Sequence, residues 1–556
     1  MKSWILKDID QEIEKIFYPY VKIKSDTFSE YERKIEGFLK DFFCSIDYFK
    51  DHLEHFGAYK IENDPLKRSV SWAFIKGNGE DTVVLIHHND VVDVEDFKIL
   101  KTYAYSPKGL ERELIKMKDD LLSEAQKDLE SGSYIFGRGT ADMKAGGAIQ
   151  LALIKRYTEI KNMKGNILLI SVPDEENISA GMRSAVLLLK ELKEKYKLNY
   201  LMMINSEPHQ RVNPDIGILS EGSVGKMMPL IYVRGFLSHI GKVFEGFNPL
   251  NLLTEIVRRT ELNLELSDFV EGEASPPPTW MYIKDRKYHY DVSMPLSVGG
   301  YFSILTLDRD PAIMVEKIKK ISEDAFSDVI EKMNEKYKIF RKKTNKPFEN
   351  LPWKVKVVTF KDLYDEAYKN YEGDFKRDYD DLFKEIKDQV EKGEISIVES
   401  NFTLIEKIFE YIHDLSPRVV IALAPPYYPN VANIYFKEID HKGKELSKKL
   451  IAYAKDNLNE IYEREHFYTG ISDLSYSSIR NSKEIIKSLE GNMPLYGSSY
   501  AIPLKEIEEI SMPCMNIGPW GKDFHKLTER VLKKDLFDKT PKLLHRAISI
   551  LLDWED

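Results

Sequence analysis

The stretch ILLISVPDEENISAGMRSAVLLLKELKEKYKLNYLMMINSEP, residues 167–208, carries the fold in its pattern. Ile167 to Val172 is a short apolar, β-branched run and predicts a buried strand. Ser184 to Lys195 has leucines at helical spacing with lysine and glutamate on the opposite side. Leu201 to Asn205 is a second apolar strand. Strand, helix and strand in that order predict a layered α/β sheet covered by helices on both faces. The acids in this stretch follow the strands: Glu175 and Glu176 after the first, Glu207 after the second. In such sheets ligands collect at the carboxyl ends of strands.

The pattern extends upstream. Val83 to Ile86 predicts a strand that runs into His88, Ala145 to Tyr157 a helix, and residues 28–50 an amphipathic helix with Tyr31, Ile35, Phe38, Leu39 and Phe42 at its spacing. After Gly222 the character changes. Strands are expected at Lys226 to Val233 and Ser303 to Leu307, with helices at Asn248 to Leu262 and Ala312 to Lys336. Residues 361–400 are strongly charged with apolar positions at helical spacing, the mark of solvated amphipathic helices. A strand follows at Arg418 to Ala424, then a helix from Lys442 to Tyr462 and a short helix from His525 to Leu532. The expected organisation is a mixed-sheet domain split between 1–221 and 418–556. It is interrupted by a second α+β domain at 222–360, for which the family resemblance given below implies a lid or dimerisation role, and by a helical insertion at 361–417.

With 556 residues the chain exceeds a single core. Its net charge of -10 argues against a nucleic-acid partner, which needs a basic face. No run approaches ~18 apolar residues, so no membrane span is expected. Acids occupy the N-terminal region where a signal peptide needs an apolar core, which points to the cytoplasm. The two cysteines, Cys44 and Cys514, read as buried thiols in a reducing compartment and leave no thiolate metal site.

Five residues have the types that bind metal through nitrogen and oxygen: His88, Asp142, Glu176, Glu207 and His525. In VVLIHHNDVV, residues 83–92, Asp90 stands two residues past His88, where a carboxylate could hold the second ring nitrogen of a ligating histidine. His87 is expected to point the other way, since neighbours in an extended chain face opposite sides. In FGRGTADMKAGGA, residues 136–148, glycines precede Asp142 and a helix follows. A phosphate cradle is the rival reading, but the spacing does not fit a P-loop. The adjacent acids Glu175 and Glu176 would repel unless cations compensate, leaving one to ligate and one to take a proton. In NIGPWGKDFHKLTER, residues 516–530, Glu529 follows His525 by four. It would orient His525, contact substrate, or lie on a helix surface. Imidazole and carboxylate donors without thiolate suit zinc, and also cobalt or manganese. Water between two such ions, ~3.5–4 Å apart, becomes a hydroxide nucleophile near neutral pH.

These motifs together resemble the M20 family of dinuclear zinc peptidases and aminoacylases. His88-Asn89-Asp90, Gly137 to Lys144, Asp174 to Glu176, Glu207-Pro208 and Gly518-Pro519 with His525 match its motifs in order. The resemblance implies that Asp142 bridges two ions, completed by His88 and Glu207 on one and by Glu176 and His525 on the other. Glu175 would be the general base. It further implies a cis peptide after Asp142, and a lid histidine, His239, that polarises the substrate carbonyl, often from a partner subunit; a homodimer is the family tendency. Asn248 and Arg309 lie in lid motifs that would reach substrate, although bracing a lid strand is the favoured role for Arg309. Arg418 is another candidate for a carboxylate fork. His87, Ile178 and His209 depart from the family pattern without removing a ligand. The long chain looks like the arginine-utilisation RocB-like branch. The expected activity is hydrolysis of an amide bond in a peptide or N-acyl amino acid. A non-catalytic protein on the same fold and a metal phosphoesterase are the alternatives.

Overall fold

The structure is a computed structural model that describes residues 3–287 and 289–554. It divides into two compact units. The first comprises residues up to Val224, Pro429–Arg480 and the chain from Pro503 onward; the second comprises Gly225–Tyr428 and Asn481–Ile502.

The first unit is built on an eight-stranded mixed sheet. Its strands run in the order Phe56–Lys60, Ser69–Ile75, Lys164–Val172, Asn78–His88, Asn199–Asn205, Cys514–Asn516, Ile216–Ser220 and Ile461–Glu465. The four central strands, from Lys164–Val172 to Cys514–Asn516, are mutually parallel. Both faces are covered, as continuous apolar runs require. Val83, Leu85, Ile167, Leu169, Met202 and Ile204 enter one large core with the helices Ile9–Lys22, Lys144–Tyr157 and Thr540–Leu551. The alternating residues Val84, Ile86, Leu168, Ile170 and Met203 are equally buried on the other side. The helix Ala180–Tyr196 buries Met182, Val186 and Leu189 and packs on the strands Ser69–Ile75 and Lys164–Val172. No helix among the described residues is long and apolar enough to cross a membrane.

The second unit holds a five-stranded sheet ordered Thr279–Asp285, Ser297–Thr306, Gly225–Arg234, Arg418–Tyr428 and Val357–Thr359. Here the expected boundaries need correction. Arg418–Tyr428 is a strand, as read, but it pairs antiparallel with Gly225–Arg234 and parallel with Val357–Thr359. It therefore belongs with the middle of the chain rather than with the catalytic sheet, and its return to the first unit begins only at Pro429. The charged insertion is not separate either. Phe360–Glu391 and Ser400–Phe409 bury Leu363, Phe375, Tyr379, Phe402 and Ile405 against Leu230, Tyr232, Val420 and Ala422 of that sheet. Its apolar stripe needed a partner, and the sheet face supplies it.

Three local expectations change. The helix expected over residues 28–50 is Arg33–Cys44 followed by Asp47–Asp51, and Cys44 is exposed, not buried. The helix expected at 442–462 consists of short pieces ending at Leu458; Asn459 has a φ of 52°, and the chain turns into the edge strand Ile461–Glu465. The segment from His525 is not helical. It is a turn leading to the strand Arg530–Leu532, which pairs with Tyr134–Phe136.

Candidate metal centre

Three parallel strands deliver their C-terminal loops to one place. His88 ends Asn78–His88, Glu175 and Glu176 follow Lys164–Val172, and Glu207 follows Asn199–Asn205. The turn before the helix Lys144–Tyr157 adds Asp142, and the peptide Asp142–Met143 is cis. The loop after Cys514–Asn516 adds His525, in a left-handed backbone with φ of 63°.

The Asp142 carboxylate stands at the centre. Its Oδ1 lies 3.0 Å from His88 Nε2, and its Oδ2 lies 3.3 Å from His525 Nε2. His88 Nε2 is also 3.5 Å from Glu207 Oε1, and His525 Nε2 is 3.0 Å from Glu176 Oε1. The five residues thus form two groups that share one carboxylate, each with its own imidazole and its own second acid. His88, Asp142 and Glu176 each offer a ligand atom within 4.8 Å of the others. Donors bound to one zinc at about 2.0–2.1 Å stand about 3.3 Å apart, so these separations match the edges of a coordination shell.

The charge balance also fits cations. Asp90, Asp142, Glu175, Glu176, Glu207 and Asp473 crowd around two imidazoles. Asp473 is fully buried, and neither of its carboxylate oxygens has a hydrogen-bond partner. Burial, joined by Glu207, Asp90 and Glu176, pushes its pKa well up. Burial likewise raises Glu175 well above the usual carboxylate range, with Glu176, Asp473 and Glu207 adding to the effect. Glu207 is pushed up to about 7 by burial, with Asp142 and Glu176 adding and His88 opposing. Burial works against charge on the two imidazoles, yet the carboxylates prevail: His88 is held well above its ordinary value, and His525 rises to about 11 through Asp142 and Glu176. Such a set attracts divalent cations, which would replace the protons that otherwise balance it.

The supporting contacts differ from the simplest expectation. His88 Nδ1 lies 3.1 Å from the backbone carbonyl of Asp90 and 3.6 Å from its carboxylate. The carbonyl oxygen therefore fixes the ring. The Asp90 carboxylate instead accepts the backbone N–H groups of Glu175 and Glu176, at 3.1 and 3.2 Å, and so sets the direction of that loop. Asp174 is anchored from behind by Arg68 at 2.6 Å, which also pairs with Glu32 and Asp64. His87 does turn away, with its Nδ1 2.9 Å from Gln150 Oε1.

Glu529 is the largest correction. It is buried and lies on no helix face. Its Oε1 accepts the N–H groups of Ala141 and Asp142, and its Oε2 pairs with Arg138 at 2.7 Å. Arg138 in turn donates to the His525 carbonyl at 3.2 Å. Glu529 and Arg138 thus tie the Asp142 turn to the His525 loop. The strand pairing of Arg530 with Phe136 places Glu529 there, which helical spacing could not reveal. Asp473 carries no sequence signal, because an acid in a loop gives no sign of its burial. Two glycines make the Glu207 loop possible by close approach. A Cβ on Gly146 would stand 2.1 Å from the Ser206 carbonyl oxygen, and one on Gly518 would stand 1.9 Å from that of Glu207.

The remaining candidates lie in the second unit and carry local bonds. His239 is exposed, and its Nδ1 accepts the Gly241 N–H at 3.1 Å. The side chain of Asn248 caps the helix Pro249–Thr260 by accepting from Leu250 N. Arg309 pairs with Asp268 at 2.8 Å and donates to the Glu265 carbonyl, as a brace would. Arg418 is fully buried and paired with Glu366 and Asp414, so it is no free fork for substrate.

The fold and this centre define a metallopeptidase-like hydrolase, and comparison with known proteins agrees. Residues 119–374 match the model of Peptidase family M20/M25/M40. The chain belongs to that family. It is 30% identical to the uncharacterized protein YqjN of Bacillus subtilis over 99% of this chain and 97% of that protein. It is also 30% identical to Protein RocB of Bacillus subtilis, over 93% of this chain and 90% of the relative. The M20 family metallo-carboxypeptidase Sso-CP2 of Sulfolobus solfataricus shares the fold, with a TM-score of 0.53 at 11% identity over 98% of this chain and 99% of that one.

Proposed function

We propose that the protein hydrolyses an amide bond in a peptide or N-acyl amino acid with two divalent cations, zinc being the best match to the donors. The observation that carries this reading is the Asp142 carboxylate, whose two oxygens face two different histidines, each beside its own glutamate. Asp142, His88 and Glu207 would hold one ion; Asp142, Glu176 and His525 would hold the other. When bound, such a pair supplies Lewis acidity toward a carbonyl oxygen and toward water.

The chain's own residues do the rest. Glu175, beside this set and nearly buried, takes the proton of the attacking water and delivers it to the leaving nitrogen. Asp90 holds the Glu175 and Glu176 backbone so that one acid can bind while its neighbour moves a proton. The bond from Gly241 N–H to His239 Nδ1 leaves the proton of the neutral ring on Nε2, an N–H donor suited to polarising a substrate carbonyl. Asn248 and Arg309 remain the candidate substrate contacts of the second unit. The similarity to RocB supports a setting in arginine or amino-acid catabolism.

A screen of dipeptides and acyl amino acids, including arginine derivatives, with zinc, cobalt and manganese tests the reading. Metal-dependent release of a free amine is expected. Cleavage of a phosphate ester without any amide turnover would replace it with the phosphoesterase reading. Two bound ions without turnover on any substrate would favour a binding role.

A further inference from the structure

A second group of metal-binding side chains lies in the first unit, at His52, Glu54 and His55, and shares no residue with the centre described above. We propose that it is an additional site for one divalent transition-metal ion. The three residues sit on the turn between the short helix Asp47–Asp51 and the edge strand Phe56–Lys60. Their ligand atoms lie within 4.8 Å of one another. Glu54 Oε1 is 3.5 Å from His55 Nε2 and 3.9 Å from His52 Nδ1. The two imidazoles stack, with centroids 5.1 Å apart and planes inclined by 19°.

Binding one ion would require the side chains to rotate until the ring nitrogens converge with Glu54 at the ~3.3 Å separations of a tetrahedral shell. The movable members are the accessible ones, since the side chains of His52 and Glu54 are 46% and 60% exposed. His55 is the fixed member. It is buried against Phe74 and Tyr196, and its Nδ1 lies 2.9 Å from the Tyr48 hydroxyl. That hydroxyl also accepts the Lys76 N–H at 2.9 Å, so the Tyr48 oxygen is anchored to the backbone. A ligating histidine needs this kind of partner on its second nitrogen, and His55 has it in place while Nε2 faces Glu54. Burial holds His55 below its ordinary value, with Glu54 acting against it and His52, Lys76 and Lys195 acting with burial. Three donors from four consecutive residues need almost no further ordering of the chain.

Two imidazoles and one carboxylate select zinc, nickel, cobalt or copper over magnesium or calcium, which prefer oxygen throughout. The open side of the turn leaves the remaining coordination position to water. A bound ion would join the end of the helix to the residue that precedes the edge strand.

Equilibrium dialysis of the full chain against Zn2+, followed by metal counting, tests the site. The wild type is expected to hold one equivalent more than His52→Ala and one more than Glu54→Gln, at equal free Zn2+. Both substitutions are at accessible side chains and should leave the fold intact, as judged by an unchanged circular dichroism spectrum. In an Asp142→Ala background, where the main centre is broken, adding His52→Ala should still remove one equivalent. That arm separates this proposal from the reading of the main centre. Mg2+ in place of Zn2+ should show no difference between these variants. Equal zinc content in the wild type, His52→Ala and Glu54→Gln would overturn the proposal, and the group would then be a stacked histidine pair with a packing role.

Discussion

The two ends of the Asp142 carboxylate face unlike surroundings. The His88 side chain is 1% exposed and ends a strand in the middle of the sheet, whereas the His525 side chain is 49% exposed on a turn. The first half of the centre is held by the same packing that holds the core. The second half is held by a few polar bonds, Arg138 to Glu529 and to the His525 carbonyl. Both halves present an imidazole and a glutamate to one carboxylate, but they are supported by different physics. Loss of the first should disturb the fold; loss of the second should disturb chiefly the ion.

The largest effect is expected at the acid that moves the proton. Glu175→Gln should lower turnover by about 10³-fold while both ions stay bound, since it removes proton transfer and no ligand. Turnover at the wild-type rate would dismiss Glu175 as the base. Next come the two histidines themselves. In chelator-treated protein, His88→Ala should cost about 3 kcal/mol in urea unfolding, because it strands buried carboxylates. His525→Ala should cost under about 1 kcal/mol, because its ring is half exposed. Both should lose activity. Equal stability costs would break the contrast between the halves.

The pH response sharpens the buried half. His87 is held down to about 4 by burial, below its ordinary value of 6.5, so the unfolded chain takes up the proton first. Its contribution to stability is therefore present above pH 6.5 and lost as pH falls toward 4. The full effect is at most about 3 kcal/mol. His209, also lowered to about 4 by burial, adds a loss over the same window. Comparison of urea midpoints at pH 7 and pH 5 should show a smaller drop for His87→Gln than for the wild type. The smallest effect concerns the support of the exposed half. Glu529→Gln keeps an acceptor for Ala141 and Asp142 but removes the charge facing Arg138. It should cost about 1–2 kcal/mol and weaken retention of the ion beside His525 on dialysis.

Much of the site is legible in the sequence. His88, Glu175, Glu176 and Glu207 follow apolar strands, and strand ends gather on one side of a parallel sheet. Asp142 and His525 were legible as glycine-flanked turns. What misled was helical spacing at its weakest: four residues from His525 to Glu529 suggested one helix face, while the segment is a turn that leads into Arg530–Leu532, the strand paired with Tyr134–Phe136. Arg418 was read as a strand residue correctly and placed with the wrong sheet, because an apolar strand carries no mark of which neighbour it will pair with.

From the sequence by itself came the alternation of strands and helices, the buried faces, and the set of acids and histidines at strand ends. These depend on side-chain periodicity and on the order of residues along the chain, which are local properties. Only the tertiary structure decided the shared position of Asp142 between His88 and His525, the buried Glu529–Arg138 tie, the buried carboxylate of Asp473 and the membership of Arg418–Tyr428 in the second unit. Each of these joins segments far apart in the chain. Such pairings follow from which surfaces exclude water and satisfy hydrogen bonds together, and no local pattern records that.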